Sequence, residues 1–431
     1  MEILVLGAGA SGLFAARELA RSGWKVTVVE ARDRVGGRIH TLPRGIFSVP
    51  AEAGAEFVHG DLPLTLSLLK EAGIPFQESA GKFWQSSSPS PQPGEGESHW
   101  AEWETRLKKL ERDLTVAQFL QAHFGGSSYK ELRRSIKGFV SGFDTADPDR
   151  ASTFSLRQEW LAREDSGPQY RISGGYGRLM DWLAAQLLEQ DATICLGCPI
   201  REVRWEPGKV TLVGEGRRNF SGPRLLVTLP AGILGAHGKF RFIPELKKLG
   251  QGLEKIGFGS VIKVLLEFTR PFWQEPAWYE RAGSPAQGLG MFFSEQRIPT
   301  WWTQYPAPSS LLTGWLGGPG AASLSQKRMG SSDLISLSLQ SLSEIFRSDE
   351  NELRSLLRAG LAVDWTRDPY CLGSYSYDTA NNGEARKTIA EPVEQTLFFA
   401  GEATWEGSSM GTVEAALQSG LRAAGQLAVF R

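Results

Sequence analysis

Cysteine is scarce. Three residues in 431, Cys195, Cys198 and Cys371, cannot frame a chain of this length with disulfides, which points to a reducing compartment. The Cys195-Leu196-Gly197-Cys198 pair has no second pair or histidine partner at zinc-ligand spacing, so no metal site is expected. Excess charge of either sign is missing too. Lys and Arg number 47 against 48 Asp and Glu, a net charge of −1, which argues against a nucleic-acid partner recognised through bulk charge. No apolar run reaches the ~20 residues of a membrane helix. The first twenty residues are apolar but lack a basic leading segment, and their glycine pattern is better explained by folding than by secretion. Together these absences point to a soluble, cytoplasmic protein with no membrane partner. What is present, 41% hydrophobic and 22% charged residues, is the composition of an ordinary folded chain. Its length suggests about two or three domains.

Glu2–Leu6 (EILVL) reads as a short buried strand ending in Gly7-Ala8-Gly9-Ala10-Ser11-Gly12. A helix follows, with Leu13, Ala16, Leu19 and Ala20 on one face and Gly23 as its stop, and then a second buried strand, Val26–Glu30. This opening is a βαβ unit of a doubly wound sheet. Residues 86–98, rich in Ser, Pro and Gly, read as an exposed mobile loop. Helical patterns are expected around Trp100–Phe124 and Leu179–Gln190, and a β-meander between Thr193 and Leu229 returns to a strand at Leu225–Leu229. From Phe240 to Tyr377 strands and helices mix without repeat. The end reads as a strand at Thr396–Ala400, a turn at Gly401 and an amphipathic helix over Gly411–Phe430.

In that frame the G-x-G-x-x-G acquires meaning. Gly7 permits a tight turn, Gly9 lets backbone approach a pyrophosphate, and Gly12 lets the helix pack on the strand. The helix N-terminus supplies free N–H groups to phosphate oxygens, and Glu30, 23 residues after Gly7, can accept from both ribose hydroxyls. Arg34-Val35-Gly36-Gly37-Arg38 adds a second glycine turn with a cation for the same pyrophosphate.

The continuation through Arg38 resembles the extended FAD fingerprint of glutathione-reductase-like flavoproteins, in particular the flavin-containing amine oxidase family of monoamine oxidases, polyamine oxidases and lysine-specific histone demethylases. Further blocks carry the resemblance in family order: Ala53-Gly54-Ala55-Glu56-Phe57-Val58-His59-Gly60, Ile172–Gly177, Gly257–Val264 with Phe272-Trp273, Trp365–Tyr377 and Phe399–Ala424. Trp100–Arg171 matches poorly. The resemblance implies an α/β fold: a Rossmann-like, glutathione-reductase-type FAD-binding domain (1–58, 172–235 and 375–431) and a discontinuous α+β substrate-binding domain (59–171 and 236–374). It implies noncovalent FAD, because Ser374 stands where monoamine oxidases carry the cysteine bonded to flavin. The cofactor-binding residues it implies are Gly7, Gly9, Ala10, Ser11, Gly12, Glu30, Ala31, Arg32, Gly36, Gly37, Arg38, Gly54, Ala55, Glu56, Val203, Trp365, Gly401, Glu402, Gly411, Thr412 and Val413.

Several positions bear on the chemistry. Lys263 interrupts an apolar strand, and on the residues alone a lysine snorkelling to water is the ordinary outcome. The resemblance implies instead that it holds a water at flavin N5. The final helix would aim its N-terminus, and by resemblance the N–H of Val413, at the negative charge of a reduced flavin. Tyr375 and Trp365 resemble walls of the pocket facing the flavin, Tyr375 as one member of an aromatic cage. The second cage position falls on Thr412, as in the histone-demethylase branch. His59 resembles a pocket histidine of animal polyamine oxidases and reads equally well as structural, while Trp301 and Trp302 suit either a substrate tunnel or the core. The implied reaction is hydride transfer from an amine to flavin, with O2 as electron acceptor and hydrogen peroxide as product. Two alternatives stay open: a desaturase or porphyrinogen oxidase acting on an apolar substrate, and a low-turnover flavin-binding scaffold.

Overall fold

The computed structural model describes residues 1–86, 95–162, 167–215, 218–236, 238–407 and 409–430. Its first layer follows from the opening βαβ unit. Glu2–Leu6 and Lys25–Val29 are short and mostly β-branched or leucine, fit for a strand covered on both faces. They form the centre of a five-stranded parallel sheet in the order Leu397–Phe399, Leu225–Val227, Glu2–Leu6, Lys25–Val29, Thr193–Cys195. All five strands come from the segments 1–58, 172–235 and 375–431, so the chain leaves this sheet and returns to it twice.

Alternation along each strand decides what covers each face. Ile3 and Val5 point to the helices Ala10–Arg21, Gly177–Leu188 and Val413–Ala428, burying against Leu13, Leu183 and Leu417. Leu4 and Leu6 point the other way, to Val203, Val210 and Leu212 of an antiparallel meander built from Ile200–Glu206, Lys209–Gly214 and Asn219–Gly222. The first and last helices cross where residue 420 is glycine, since a Cβ there would lie 2.7 Å from the Ser11 carbonyl oxygen.

A second sheet of six strands runs in the order Leu357–Asp364, Val261–Phe268, Leu311–Gly317, Thr300–Trp302, Leu289–Phe293, Lys82–Gln85. Every residue of its Val261–Phe268 strand is buried. Ile262, Val264 and Leu266 pack under helix Ser331–Phe346, leaving Lys263 on the opposite face. The helices Val116–Phe124, Lys130–Gly142 and Thr153–Ala162 gather around Trp103, Phe119 and Phe124. A three-stranded sheet, with Gln169–Ile172 between Phe57–His59 and Phe76–Glu78, completes the architecture.

Two expectations change. The helical stretch from Trp100 is two helices, Glu95–Lys108 and Val116–Phe124, because Thr115 and Gln118 form a reciprocal capping box that starts the second. Of the segment read as loop, 87–94 lie outside the described residues and Glu95 already begins a helix. Among the described residues, no helix is long and apolar enough to cross a membrane.

Candidate active site

The glycine loop opens onto a cavity of about 2150 Å³ that runs from the carboxyl ends of the parallel strands to the helix Lys130–Gly142. Gly7 has φ of 110°, which only glycine adopts without strain. Gly12 faces inward, where a Cβ would sit 2.0 Å from the Gly7 carbonyl oxygen, so it carries helix packing and does not line the cavity. Gly9 is the reverse case. A Cβ there would meet nothing nearer than the Gly36 oxygen at 4.0 Å, which leaves open backbone at the helix N-terminus for an anionic ligand.

Glu30 lines the same end, buried and aimed by two backbone donors, Ala8 N–H to Oε2 at 2.7 Å and Arg32 N–H to Oε1 at 2.9 Å. Arg32 pairs with Asp368 at 2.5 Å and lies 5.2 Å from the Tyr370 ring centre. Of the two arginines that flank the second glycine turn, Arg34 does not line the cavity. Its guanidinium folds back to donate to Val35, Ile39 and Gly37 carbonyls, so it staples the Gly36-Gly37 turn. Arg38 does line the cavity, held by the Ser374 carbonyl at 2.6 Å and Glu402 at 2.9 Å. Burial pushes the Glu402 carboxyl up, but Arg38, the Ser376 hydroxyl at 2.6 Å and Arg386 outweigh it and hold the group below the usual carboxylate range.

Lys263 is 1% exposed, which overturns the snorkelling reading. Its ammonium donates to the Gly54 carbonyl at 3.0 Å and to Glu56 Oε2 at 2.8 Å, and lies 5.3 Å from the Trp302 ring centre. Glu56 Oε1 accepts from Trp302 Nε1 at 2.9 Å and Arg171 Nε at 3.2 Å. Burial raises the Glu56 pKa, but the Lys263 and Arg171 charges more than cancel it, and the group stays ionised. Lys263 and Glu56 both line the cavity, as do Trp365, Tyr375, His59 and Thr412.

Trp365 is anchored by Nε1 to the Ala53 carbonyl at 2.8 Å. The Tyr375 hydroxyl donates to the Phe143 carbonyl, and burial, then the Asp144 carboxylate, push its pKa up, so it remains a neutral phenol. Thr412 caps the last helix, accepting from Ala415 N–H at 3.2 Å, which leaves the N–H groups of Val413 and Glu414 ahead of the first intrahelical bond. His59 packs edge-on against Phe143 with ring centres 5.3 Å apart. Val203 is the clear correction. It is fully buried between the Leu212 and Phe242 strands and away from the cavity wall, while Ile200, three residues earlier, lines it.

A family model described as flavin containing amine oxidoreductase matches residues 10–428. The chain belongs to that family. It is 26% identical to human lysine-specific histone demethylase 2 over 99% of this chain and 53% of that one, so it spans about half the length of that relative. It is also 26% identical to a probable polyamine oxidase 4 of Arabidopsis thaliana, over 95% of this chain and 84% of the relative. Among solved structures, a putrescine oxidase bound to putrescine superimposes with a TM-score of 0.80 over 100% of both chains at 21% identity, which shows a shared fold.

The cofactor of this family member is FAD, and the cradle fits it: open backbone at Gly9, an oriented acid at Glu30, and a helix N-terminus at Val413 on one continuous wall. Ala10, Ser11, Ala31, Gly36, Gly37, Gly54, Ala55, Gly401 and Gly411 line that wall as well. Sequence reading missed Arg171, Trp315, Phe143, Asp144 and Glu159. The latter four line the cavity, and Arg171 stands behind Glu56. Trp301 and Trp302 could have been separated by strand alternation, since one of two neighbours must face the core. Trp301 is buried there, and Trp302 lines the cavity.

Proposed function

We propose that the protein is an FAD-dependent amine oxidase. The observation that carries this reading is one cavity joining the dinucleotide cradle to a buried ammonium, Lys263, and to the rings of Tyr375, Trp302 and Trp315. A desaturase for an apolar substrate has no use for a buried cation and carboxylate at the end of its pocket, since burying them is costly. When bound, a flavin would supply a two-electron acceptor for an amine α C–H lost as hydride, the resulting iminium giving an imine as its N–H proton leaves, with O2 taking up the two electrons and two protons as hydrogen peroxide. The segments 1–58, 172–235 and 375–431 hold it, and 59–171 with 236–374 shape the substrate end.

The chain's own residues orient and exclude water. Glu30 and the helix N-terminus behind Gly9 fix the nucleotide end. The N-terminus at Val413 would favour negative charge on a reduced ring, and Lys263 would present an N–H to the cavity that holds it. Ser374, whose hydroxyl pairs with Thr145 at 2.5 Å, offers no thiol, and the cofactor stays noncovalent. Tyr375 and the tryptophans wall a slot for an amine, and no strong base is needed, because a neutral amine carries its own lone pair. Asp144 and Glu159, whose charges act on the Tyr375 hydroxyl, favour substrates with a second cationic nitrogen, such as diamines and polyamines.

The test is anaerobic mixing of the yellow protein with monoamines, polyamines and amino acids. Bleaching by polyamines is expected; a flavin that no amine bleaches would sink the reading.

A further inference from the structure

The site holds a carboxylate that the amine chemistry above does not use. Glu56 lies two residues after Gly54, and these two positions clamp the Lys263 ammonium, through the Gly54 carbonyl at 3.0 Å and Glu56 Oε2 at 2.8 Å. The clamp is rigid at its base. Position 54 admits only glycine, because a Cβ would lie 1.9 Å from the Arg38 carbonyl oxygen, and Ala53 is pinned through its carbonyl by Trp365 Nε1. The carboxylate's other oxygen is taken by Trp302 Nε1 at 2.9 Å and Arg171 Nε at 3.2 Å. Arg171 in turn donates to the carbonyls of Tyr305 at 2.9 Å and Thr303 at 2.7 Å, so the whole group is tied to the six-stranded sheet. Glu56 and Lys263 side chains are only 5% and 1% exposed, and solvent barely screens the pair.

An ammonium has three donors. Two are occupied here, so the clamp leaves one N–H direction and removes the rotamer freedom of a four-carbon stem. The charge balance matters equally. Lys263 and Arg171 bring two positive charges to a buried point, and Glu56 supplies one negative charge.

We propose that Glu56 is the positioning residue of Lys263: it fixes which N–H of the ammonium enters the cavity and halves the buried positive charge felt by the flavin. This rests on the flavin reading, but its assay needs no amine. The E56Q variant keeps the side-chain length and an acceptor for Trp302 while removing the charge. Its flavin midpoint potential, measured by photochemical reduction, is expected to rise so that the reduced form gains about tenfold, roughly 30 mV for a two-electron couple. E56D, which keeps the charge, is expected to leave the potential near wild type, and it stands in should E56Q not fold.

The second arm reads the coupling. The rate of reoxidation by O2 after photoreduction is expected to fall about tenfold in E56Q, the size typical of losing a group that orients another. The double variant E56Q/K263M should be no slower than K263M alone. Multiplying effects would show that Glu56 acts apart from Lys263, and an unmoved midpoint in E56Q would show that its charge does not reach the ring; either result overturns the proposal. If no amine bleaches wild type while both arms come out as expected, the amine reading fails and the role of Glu56 stands.

Discussion

Two glycines three residues apart separate the fold's needs from the cofactor's. At Gly12 a Cβ would sit 2.0 Å from the Gly7 carbonyl oxygen and 2.9 Å from Thr228 Oγ1. Real carbon–oxygen contacts need about 3.4 Å, so a Gly12→Ala helix would have to back off its strand by more than an ångström. It cannot do so cheaply, because its other side is held against the last helix at Gly420. Overpacking of this kind costs about 1–3 kcal/mol, and the same displacement carries the helix N-terminus away from the phosphates. Gly9→Ala adds a methyl into open space with φ of −78°, a value that alanine accepts. The apoprotein should be unharmed, while the methyl occupies the place of close backbone approach and weakens FAD binding at least tenfold, about 1.4 kcal/mol. The assay is denaturant unfolding of the two apoproteins beside FAD titration by flavin fluorescence. G12A should lose both stability and affinity, G9A affinity alone. Equal stability losses, or a G9A that binds FAD like wild type, would refute the assignment of Gly9 to the ligand and Gly12 to the packing.

K263M should retain FAD, seen in an unchanged flavin content, and slow flavin reduction or reoxidation; wild-type rates in both half-reactions would exclude a role for the lysine. Thr412→Ala removes the cap of the last helix and should cost about 1 kcal/mol, read as a lowered urea midpoint. Glu52 carries a pH prediction. Burial pushes its carboxyl up to about 7, against the opposing pull of the Tyr176 N–H and Lys263. The native state then keeps a proton that the unfolded chain, with its ordinary carboxyl near 4.5, has already lost. This contribution is fully present below pH 4.5 and lost as pH rises to about 7, amounting to about 3 kcal/mol. Unfolding midpoints at pH 5 and pH 8 should therefore converge in E52Q relative to wild type; an identical pH slope in both would show that Glu52 is ionised throughout.

Patterns with a short period were legible. The βαβ opening, the return of the chain at Leu225–Val227 and Leu397–Phe399, and the amphipathic last helix all follow from apolar runs punctuated by glycine, because local sterics and burial act over a few residues. The pattern also located the strand and helix ends that carry Gly9 and Glu30, both of which line the cavity, whereas Val413 was reached through the family resemblance. Whatever depended on contacts between distant segments was not legible. Val203 and Ile200 share one strand, and only the packing of the meander on the parallel sheet decided that Ile200 meets the cavity. The Arg34 side chain turned inward because three carbonyls of its own turn lay within reach, a geometry that spacing does not encode. Lys263 is the sharpest case. An amphipathic side chain on an apolar strand ordinarily reaches for water, and here it is kept buried by a carboxylate 207 residues away. Sequence could place an acid at 56 and a base at 263, but a buried charge is stable only opposite its partner, and that meeting is a property of the assembled sheets.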